Sequence, residues 1–236
     1  MFLTMNKILF FFISLTLLLS SCIELIDDLT IHNDGSGTFK YTINLSASKI
    51  KVNSILALDS LDGKKVPSMA EIKAKANSFA ANLKTQLGIS NVTMSINDAD
   101  LIIKLSFDFN SIPNFQSGLK AAILSIRDSK QSDDSNQSNE LNQNWISWDG
   151  KILRRNIPLM SLTISEQLKE TDLDLLKTGS YTTICRFDRA IEKAEKSTTK
   201  INPSRTASML KVNTYDLQKN YSLIDNCIYL TPLKNK

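Results

Sequence analysis

The order of apolar and polar positions predicts a chain that alternates β-hairpins and helices. On both sides of the turn residues 33–37, every second position is apolar, which is the pattern of strands with one buried face. These positions are Leu29, Ile31, Phe39, Tyr41, Ile43 and Leu45. The turn contains Asp34-Gly35 without the further acidic ligands of a calcium loop, so we predict a β-hairpin.

A helix is predicted next. Ser68 and Glu71 have the spacing of a capping box, and Gly88 supplies the end of the helix. Between them apolar residues recur at steps of three and four: Met69, Ile72, Ala76, Phe79, Leu83 and Leu87. Residues 47–60 form a weaker helical pattern.

A second hairpin and helix complete the first half. Segment 92–109 alternates around a polar turn, and Ser111 can cap a helix that continues to Ile126. Hairpin, helix, hairpin, helix is the order of an α+β fold, in which the helices pack on one face of an antiparallel sheet. We therefore assign residues 22–127 to such a region.

The second half is predicted to be rich in β-structure. Residues 128–144 are almost entirely polar and are interpreted as a flexible linker before a C-terminal region, 145–236. Trp145 and Trp148 belong to a third hairpin, and we expect a Trp to close a sheet edge rather than form a binding contact. Residues 189–205 are interpreted as a solvated basic loop. The remaining predicted elements are a helix over 165–177 and strands near 180–187, 207–212 and 223–230.

The first 21 residues are predicted to be a signal peptide. Lys7 is their only charge, and the apolar run 8–19 is too short for a membrane span of about 20 residues. The order Leu19-Ser20-Ser21-Cys22 resembles the lipobox of bacterial lipoproteins. That resemblance implies a diacylglycerol on the Cys22 thiol, cleavage before Cys22 and acylation of the new amino group. The alternative is an incidental Cys22 near an ordinary cleavage site. Met1 and Met5 are both plausible start positions.

The resemblance to lipoproteins also suggests to which membrane the protein is transported. Enterobacterial lipoproteins with Asp after the acylated Cys stay in the inner membrane, so Ile23 favours the outer membrane. Asp27-Asp28 is a poor match to the acidic surface-export signal of some Bacteroidetes lipoproteins. The sequence therefore does not decide between the periplasmic and the surface leaflet of the outer membrane. The acyl chains would keep the protein attached to the membrane.

Composition and charge exclude several classes. The 236 residues are 42% apolar and 22% charged, which excludes collagen-like, disordered and multispan-membrane proteins. A net charge of +4 is too small to indicate a nucleic-acid partner. After processing, Cys185 and Cys227 would be the only free thiols left; they either pair in an oxidising compartment or remain separate buried thiols.

The sequence contains few residues in arrangements that could support catalysis. His32 is the only histidine, so neither a His-based triad nor a two-His metal site can form within one chain, and no cofactor motif is present. The remaining candidates are the carboxylate pairs Asp98 with Asp100 and Asp172 with Asp174, which are typical of turns and helix starts. We expect no enzyme activity, no metal and no cofactor.

The layout resembles two groups of exported proteins. Uncharacterised Bacteroidetes lipoproteins share the segments 20–24, 33–37, 88–92 and 181–187, and LppM-type lipoproteins share, faintly, the early Asp-Gly-Ser-Gly hairpin. Neither resemblance implies catalytic residues. We expect an envelope protein that is anchored through Cys22 and binds an unknown protein partner. The alternatives are a carboxylate-dependent hydrolase and a carrier of an apolar ligand, whose cavity would be lined by Phe79, Leu83, Phe107 and Phe109.

Overall fold

The computed structural model describes residues 23–61, 63–126, 144–156 and 176–233. The signal peptide, Cys22, residues 128–143 and most of the predicted helix 165–177 lie outside these residues. The described elements are, in chain order, β1 (Glu24–Ile31), β2 (Gly37–Asn44), α1 (Lys49–Leu56), β3 (Ser60–Leu61), β4 (Lys64–Lys65), α2 (Met69–Lys84), β5 (Ile89–Asn97), β6 (Ile102–Phe109), α3 (Ile112–Ile126), β7 (Ile146–Trp148), β8 (Ile152–Arg155), β9 (Ser180–Phe187), β10 (Ile191–Ala194), β11 (Lys200–Ile201), β12 (Ala207–Asn213), α4 (Thr214–Lys219) and β13 (Asn226–Leu230).

The strands form two main sheets and one small ribbon. The larger sheet has seven strands in the order β11-β12-β9-β1-β2-β6-β5, and the smaller has four in the order β10-β13-β8-β7. Strands β3 and β4 form the ribbon. The predicted α+β class is confirmed. One pair departs from the antiparallel arrangement, because β1 runs parallel to β9.

That parallel pair joins the two predicted regions. β1 lies between β2 and β9, so strands from residues 22–127 and from residues 145–236 share the seven-stranded sheet. The polar segment 128–144 therefore does not separate two independent sheets. A parallel pair needs a crossover connection, and the one between β1 and β9 contains strands β2 to β8 and helices α1 to α3.

The core lies on one face of the larger sheet. Phe115 of α3 packs on Phe39, Phe107 and Phe109, with ring centroids 5.0–5.9 Å apart, and Trp145 completes this cluster 5.5 Å from Phe115. Buried residues of the smaller sheet join the same core: Ile146, Leu153, Ile191, Ile228 and Leu230. Helices and the second sheet thus cover the same face of the larger sheet.

The predicted carrier cavity is occupied by this core. Leu83 and Phe107 are completely buried, Phe109 is 3% exposed, and Phe79 packs against them. The prediction that these four residues line a ligand cavity is wrong, because their side chains fill the space between α2, α3 and the sheet.

The tryptophans close a sheet edge, as expected. Trp148 belongs to the edge strand β7 and stacks on Phe187 with a centroid distance of 6.2 Å. Its ring also lies against Gly35, where an added Cβ would be 3.4 Å away. Trp145 and Trp148 are both half-buried.

The interpretation of residues 189–205 as a loop is wrong in part. β10 and β11 lie within this segment as short strands at sheet edges. In β10 only Ile191 is fully buried, while Glu192 and Lys193 are exposed. Edge strands usually carry charged side chains. The composition of this segment therefore resembles that of a loop, and the two strands could not be recognised from it. The sequence interpretation also missed α4 and the 3-10 helix Tyr221–Ile224, which lies before β13.

The predicted capping box at Ser68 is confirmed and yields a pH prediction. Glu71 accepts hydrogen bonds from Lys65 at 2.5 Å and from the Ser68 backbone at 2.8 Å. These contacts lower the pKa of Glu71 from 4.5 to about 2. Because the pKa is lowered in the folded chain, the stabilisation is present above about pH 4.5 and is lost as the pH falls towards about 2.

We therefore expect Glu71→Gln to lower the free energy of unfolding near neutral pH. The difference from the wild type should shrink steadily as the pH falls from about 4.5 through about 2. Urea unfolding across this pH range measures both curves. A difference that stays constant with pH would contradict the assignment.

Candidate functional site

A buried ion pair lies between the two sheets. Asp27 of β1 is completely buried, and Arg155 at the end of β8 is 7% exposed. The guanidinium donates to both carboxylate oxygens, at 2.6 and 2.7 Å. Arg155 also donates to the Thr183 hydroxyl at 2.7 Å, and the Tyr181 hydroxyl donates to Asp27 at 2.5 Å. The register of β1 with β9 produces this cluster, since Asp27 lies opposite Thr183.

Burial and charge raise the pKa values of the groups around Asp27. Burial opposes the charge of Arg155, but the nearby carboxylate of Asp27 outweighs burial and raises the pKa of Arg155 above its usual value. Burial, reinforced by the Asp27 charge, raises the pKa of Tyr181 well above 10 and that of Tyr41 to about 12. A general acid or base needs a pKa near the working pH. None of these three groups meets that condition.

Arg155 also borders a very small cavity. The cavity has a volume of about 10 Å³ and is lined in part by Thr183, Ser208 and Asn226. The Arg155 Nε atom is buried and has no hydrogen-bond partner within the protein. A cavity of this size has room for about one water molecule. It is too small for an organic substrate.

A larger polar groove lies beside the smaller sheet. It has a volume of about 430 Å³, and its charged lining residues have both signs: Arg154, Lys196, Glu195 and Asp225. The Tyr229 hydroxyl donates to Glu195 at 2.5 Å, which raises the pKa of Tyr229. Lys196 donates to the Ser222 carbonyl at 2.6 Å. The side chains that line the groove are thus already engaged in fixed positions.

A second open cleft contains His32. This cleft of about 460 Å³ includes Thr38 and Asp108. The His32 Nδ1 atom is 3.0 Å from Asp188, and both side chains are largely exposed. Asp108 accepts hydrogen bonds from Asn91 at 2.7 Å and from Thr38 at 2.6 Å, which lower its pKa. Asn91 lies at a bulge in β5 with a φ of 52°, a conformation that orients its side chain towards Asp108.

The predicted carboxylate pairs do not form a catalytic centre where they can be described. Asp98 contacts Lys73, and Asp100 accepts from Asn97 at 2.9 Å, so both are ordinary turn residues. Asp172 and Asp174 lie outside the described residues. Among the residues that the structure describes, no three His, Cys, Asp or Glu side chains form a metal-binding group.

The two internal cysteines are buried free thiols. Cys185 lines the small cavity together with Asn226 and Ile228 of β13. Because successive side chains of a strand point to opposite faces, Cys227 points away from that cavity and lines the polar groove instead. Of the two alternatives left open by the sequence, the structure has separate thiols. The strand alternation explains why the disulfide is not formed.

This arrangement predicts the reactivity of the thiols. Burial raises the pKa of Cys185 to about 11, and only thiolates react readily. In a Cys22→Ala chain prepared without reductant, we expect almost no reaction with a thiol reagent in the native state. Two thiols should react after denaturation in urea. Absence of reactive thiols in urea would indicate a disulfide and contradict the structure.

The proposed acidic signal at Asp27-Asp28 is largely hidden in the folded chain. Asp27 is buried in the ion pair, and Asp28 accepts from the Arg186 Nε atom at 2.8 Å. A receptor that recognises these two residues would meet at most one of them on the folded surface.

The sequence interpretation did not identify the Asp27–Arg155 pair. A signal was present, since Asp27 has the same strand parity as the buried residues Leu29 and Ile31. A charged residue at an inward-facing position requires a partner of opposite charge. The partner could not be chosen from the sequence, because Arg155 is 128 residues away.

Comparison with known proteins gives a weak structural likeness. The chain matches no protein-family profile and no curated protein. It is similar to the folded domain of LppM from Mycobacterium tuberculosis, with 12% identity and a TM-score of 0.38 over 92% of this chain and 95% of that domain. The sequence led us to expect a faint similarity to LppM-type lipoproteins from the early hairpin, and the structural comparison finds a similarity that is equally faint. A Bacteroidetes origin stays a prediction.

Among the residues that the structure describes, no helix combines the length and the apolar composition needed to cross a bilayer.

Proposed function

We propose that this protein is a lipid-anchored lipoprotein of the bacterial cell envelope that binds a protein partner without catalysis. The observation on which this proposal rests is Cys22, which ends the apolar run directly after Leu19-Ser20-Ser21. Acylation of Cys22 would attach the chain to the outer membrane. The leaflet and the partner are left open.

The position of β1 agrees with such an anchor. β1 begins at Glu24, so only Ile23 separates the proposed acylated residue from the sheet. Two residue steps span at most about 7 Å. The folded domain would therefore lie against the bilayer surface, without a long linker.

The polar groove supports the protein-binding part of the proposal. Its side chains of both charges are held in place by hydrogen bonds, as at the rim of many protein interfaces. Beside the buried Asp27 carboxylate, the pKa values of Arg155 and Tyr181 are raised too far for acid–base catalysis near neutral pH. A hydrolase is therefore the less favoured alternative.

Metabolic labelling tests the anchor. Cells that express the full chain are grown with a clickable palmitate analogue, and the protein is then isolated. We expect labelling of the wild type and none of Cys22→Ala, while Cys185→Ala and Cys227→Ala should be labelled like the wild type. Equal labelling of wild type and Cys22→Ala would reject the anchor.

Site-specific crosslinking tests the partner surface. A photo-reactive residue at Arg154 or Glu195 in the groove is compared with one at the exposed Ser95 of β5. We expect one recurring envelope protein to be crosslinked from the groove positions and not from position 95. Co-purified lipid without any crosslinked protein would contradict the protein-binding part of the proposal.

A further inference from the structure

We propose that the segment Lys49–Leu58, which contains α1 and is called the α1 surface below, lies on the bilayer next to the anchor. This inference rests on the proposed acylation of Cys22. It adds a second membrane contact, made by the folded domain itself. The occupant of the α1 surface is a lipid bilayer with anionic headgroups.

The sheet register places the α1 surface at the anchored end of the domain. Glu24, the first residue of β1, pairs with Asn44, the last residue of β2. Asn44 in turn pairs with Ile102, the first residue of β6. α1 begins five residues after Asn44. The chain therefore enters the domain and begins α1 at the same end of the sheet.

A small apolar cavity fixes the position of α1 more closely. Val52 and Leu56 of α1 border this cavity of about 70 Å³. Opposite them lie Leu45, Ile96 and Leu101, at the end of β2 and around the turn between β5 and β6. α1 therefore covers the sheet end that contains Glu24.

The α1 surface combines exposed apolar side chains with basic ones. No residue of α1 is fully buried, and Ile50 is 86% exposed. Leu58, just after the helix, is 45% exposed. Lys49 and Lys51 flank Ile50; segment 45–58 has no acidic residue, and the first one after it is Asp59, next to Leu58. Basic residues beside exposed apolar side chains are typical of segments that lie at anionic bilayer surfaces.

Leu87 provides a matched control site at the opposite end. It is 83% exposed, nearly as much as Ile50, and lies two residues before Ile89. Ile89 pairs with Phe109, which pairs with Gly37 and so marks the far end of the sheet. Eight strand residues separate the two ends by about 23 Å. If only the end of the sheet that contains Glu24 lies on the bilayer, Leu87 stays clear of the lipid.

The test uses the full acylated chain reconstituted in vesicles of phosphatidylethanolamine and phosphatidylglycerol. Ile50→Cys and Leu87→Cys are each labelled with an environment-sensitive fluorophore, since the native thiols are buried. We expect nitroxide lipids to quench the label at position 50 and to leave the label at position 87 unquenched. Mass spectrometry of the N-terminal peptide reports acylation of Cys22 in the same samples.

Each outcome decides between the two proposals. Acylated Cys22 with no lipid quenching at position 50 would overturn the inference and leave the anchor intact. Shielding of position 50 from aqueous iodide without lipid quenching would mean that protein, for example a second copy, covers the surface, and would also overturn it. An unmodified Cys22 would reject the proposed function. The inference would then survive only if vesicle-bound chain still shows quenching at position 50.

Charge reversal of the two lysines tests whether electrostatic attraction contributes to the membrane contact of the α1 surface. For this test the fluorophore is attached at Leu58→Cys. A lysine near an anionic surface contributes about 1 kcal/mol, which is about fivefold in an equilibrium. Lys49→Glu with Lys51→Glu should lower the ratio of membrane-bound to free α1 by at least that factor. Lys40→Glu, an exposed residue in the middle of β2, should leave it unchanged. Equal effects of both variants would overturn the assignment of this surface.

Discussion

Replacement of Asp27 by asparagine is expected to lower the free energy of unfolding by about 3–5 kcal/mol. The substitution preserves the size of the side chain and removes its charge. Arg155 is 7% exposed and would be left in the interior without its counter-ion. Loss of one partner of a buried ion pair is costly because the remaining charge is neither hydrated nor neutralised.

Two controls separate this effect from a general loss of charge. Asp28 is the neighbouring residue but pairs with the half-exposed Arg186, so Asp28→Asn should cost less than about 1 kcal/mol. Asp27→Leu combined with Arg155→Met removes both charges and should recover much of the loss. Urea unfolding monitored by Trp145 and Trp148 fluorescence measures all three. Equal costs for Asp27→Asn and Asp28→Asn would contradict the role of the pair.

The features predicted correctly from the sequence are local ones. The first hairpin is defined by alternation around Asp34-Gly35, and the start of α2 is defined by Ser68 and Glu71. Each of these signals lies within a few residues of the structure that it specifies. The class of the fold follows from the order of such elements, so it was also predictable.

The features that were missed depend on distant residues. The pairing of β1 with β9 joins segments more than 150 residues apart, and no local pattern encodes it. The same pairing brings Tyr181 and Thr183 to Asp27, and the second sheet then supplies Arg155. The buried ion pair is thus a consequence of topology, which explains why the sequence indicated only half of it.

The two proposals assign separate surfaces to separate partners. The anchor and the α1 surface share the end of the sheet at which β1 begins. The polar groove belongs instead to the smaller sheet, with Arg154 of β8 and Tyr229 of β13 in its lining. In this arrangement the membrane contact and the protein contact use different residues, so variants of one surface should leave the other contact intact.

Substitution of Gly37 by alanine is the second large effect that we expect, with a loss of about 3 kcal/mol or more in the free energy of unfolding. Gly37 is the first residue of β2 and pairs with Ile31 at the end of β1. A Cβ there would lie 1.9 Å from the Thr30 carbonyl oxygen and 2.7 Å from Phe109. The oxygen belongs to the backbone of the neighbouring strand, so relief of the clash requires the two strands to separate.

Gly150 provides the control for this substitution. It has a φ of 86° with nothing within 4 Å of an added Cβ, so Gly150→Ala adds backbone strain of about 1–2 kcal/mol and no clash. Urea unfolding of both variants separates the two causes. If Gly37→Ala costs no more than Gly150→Ala, the close approach of β1 and β2 at Gly37 is not rigid. If it costs several times more, the glycine that ends the Asp-Gly-Ser-Gly segment is required by the packing of strand against strand.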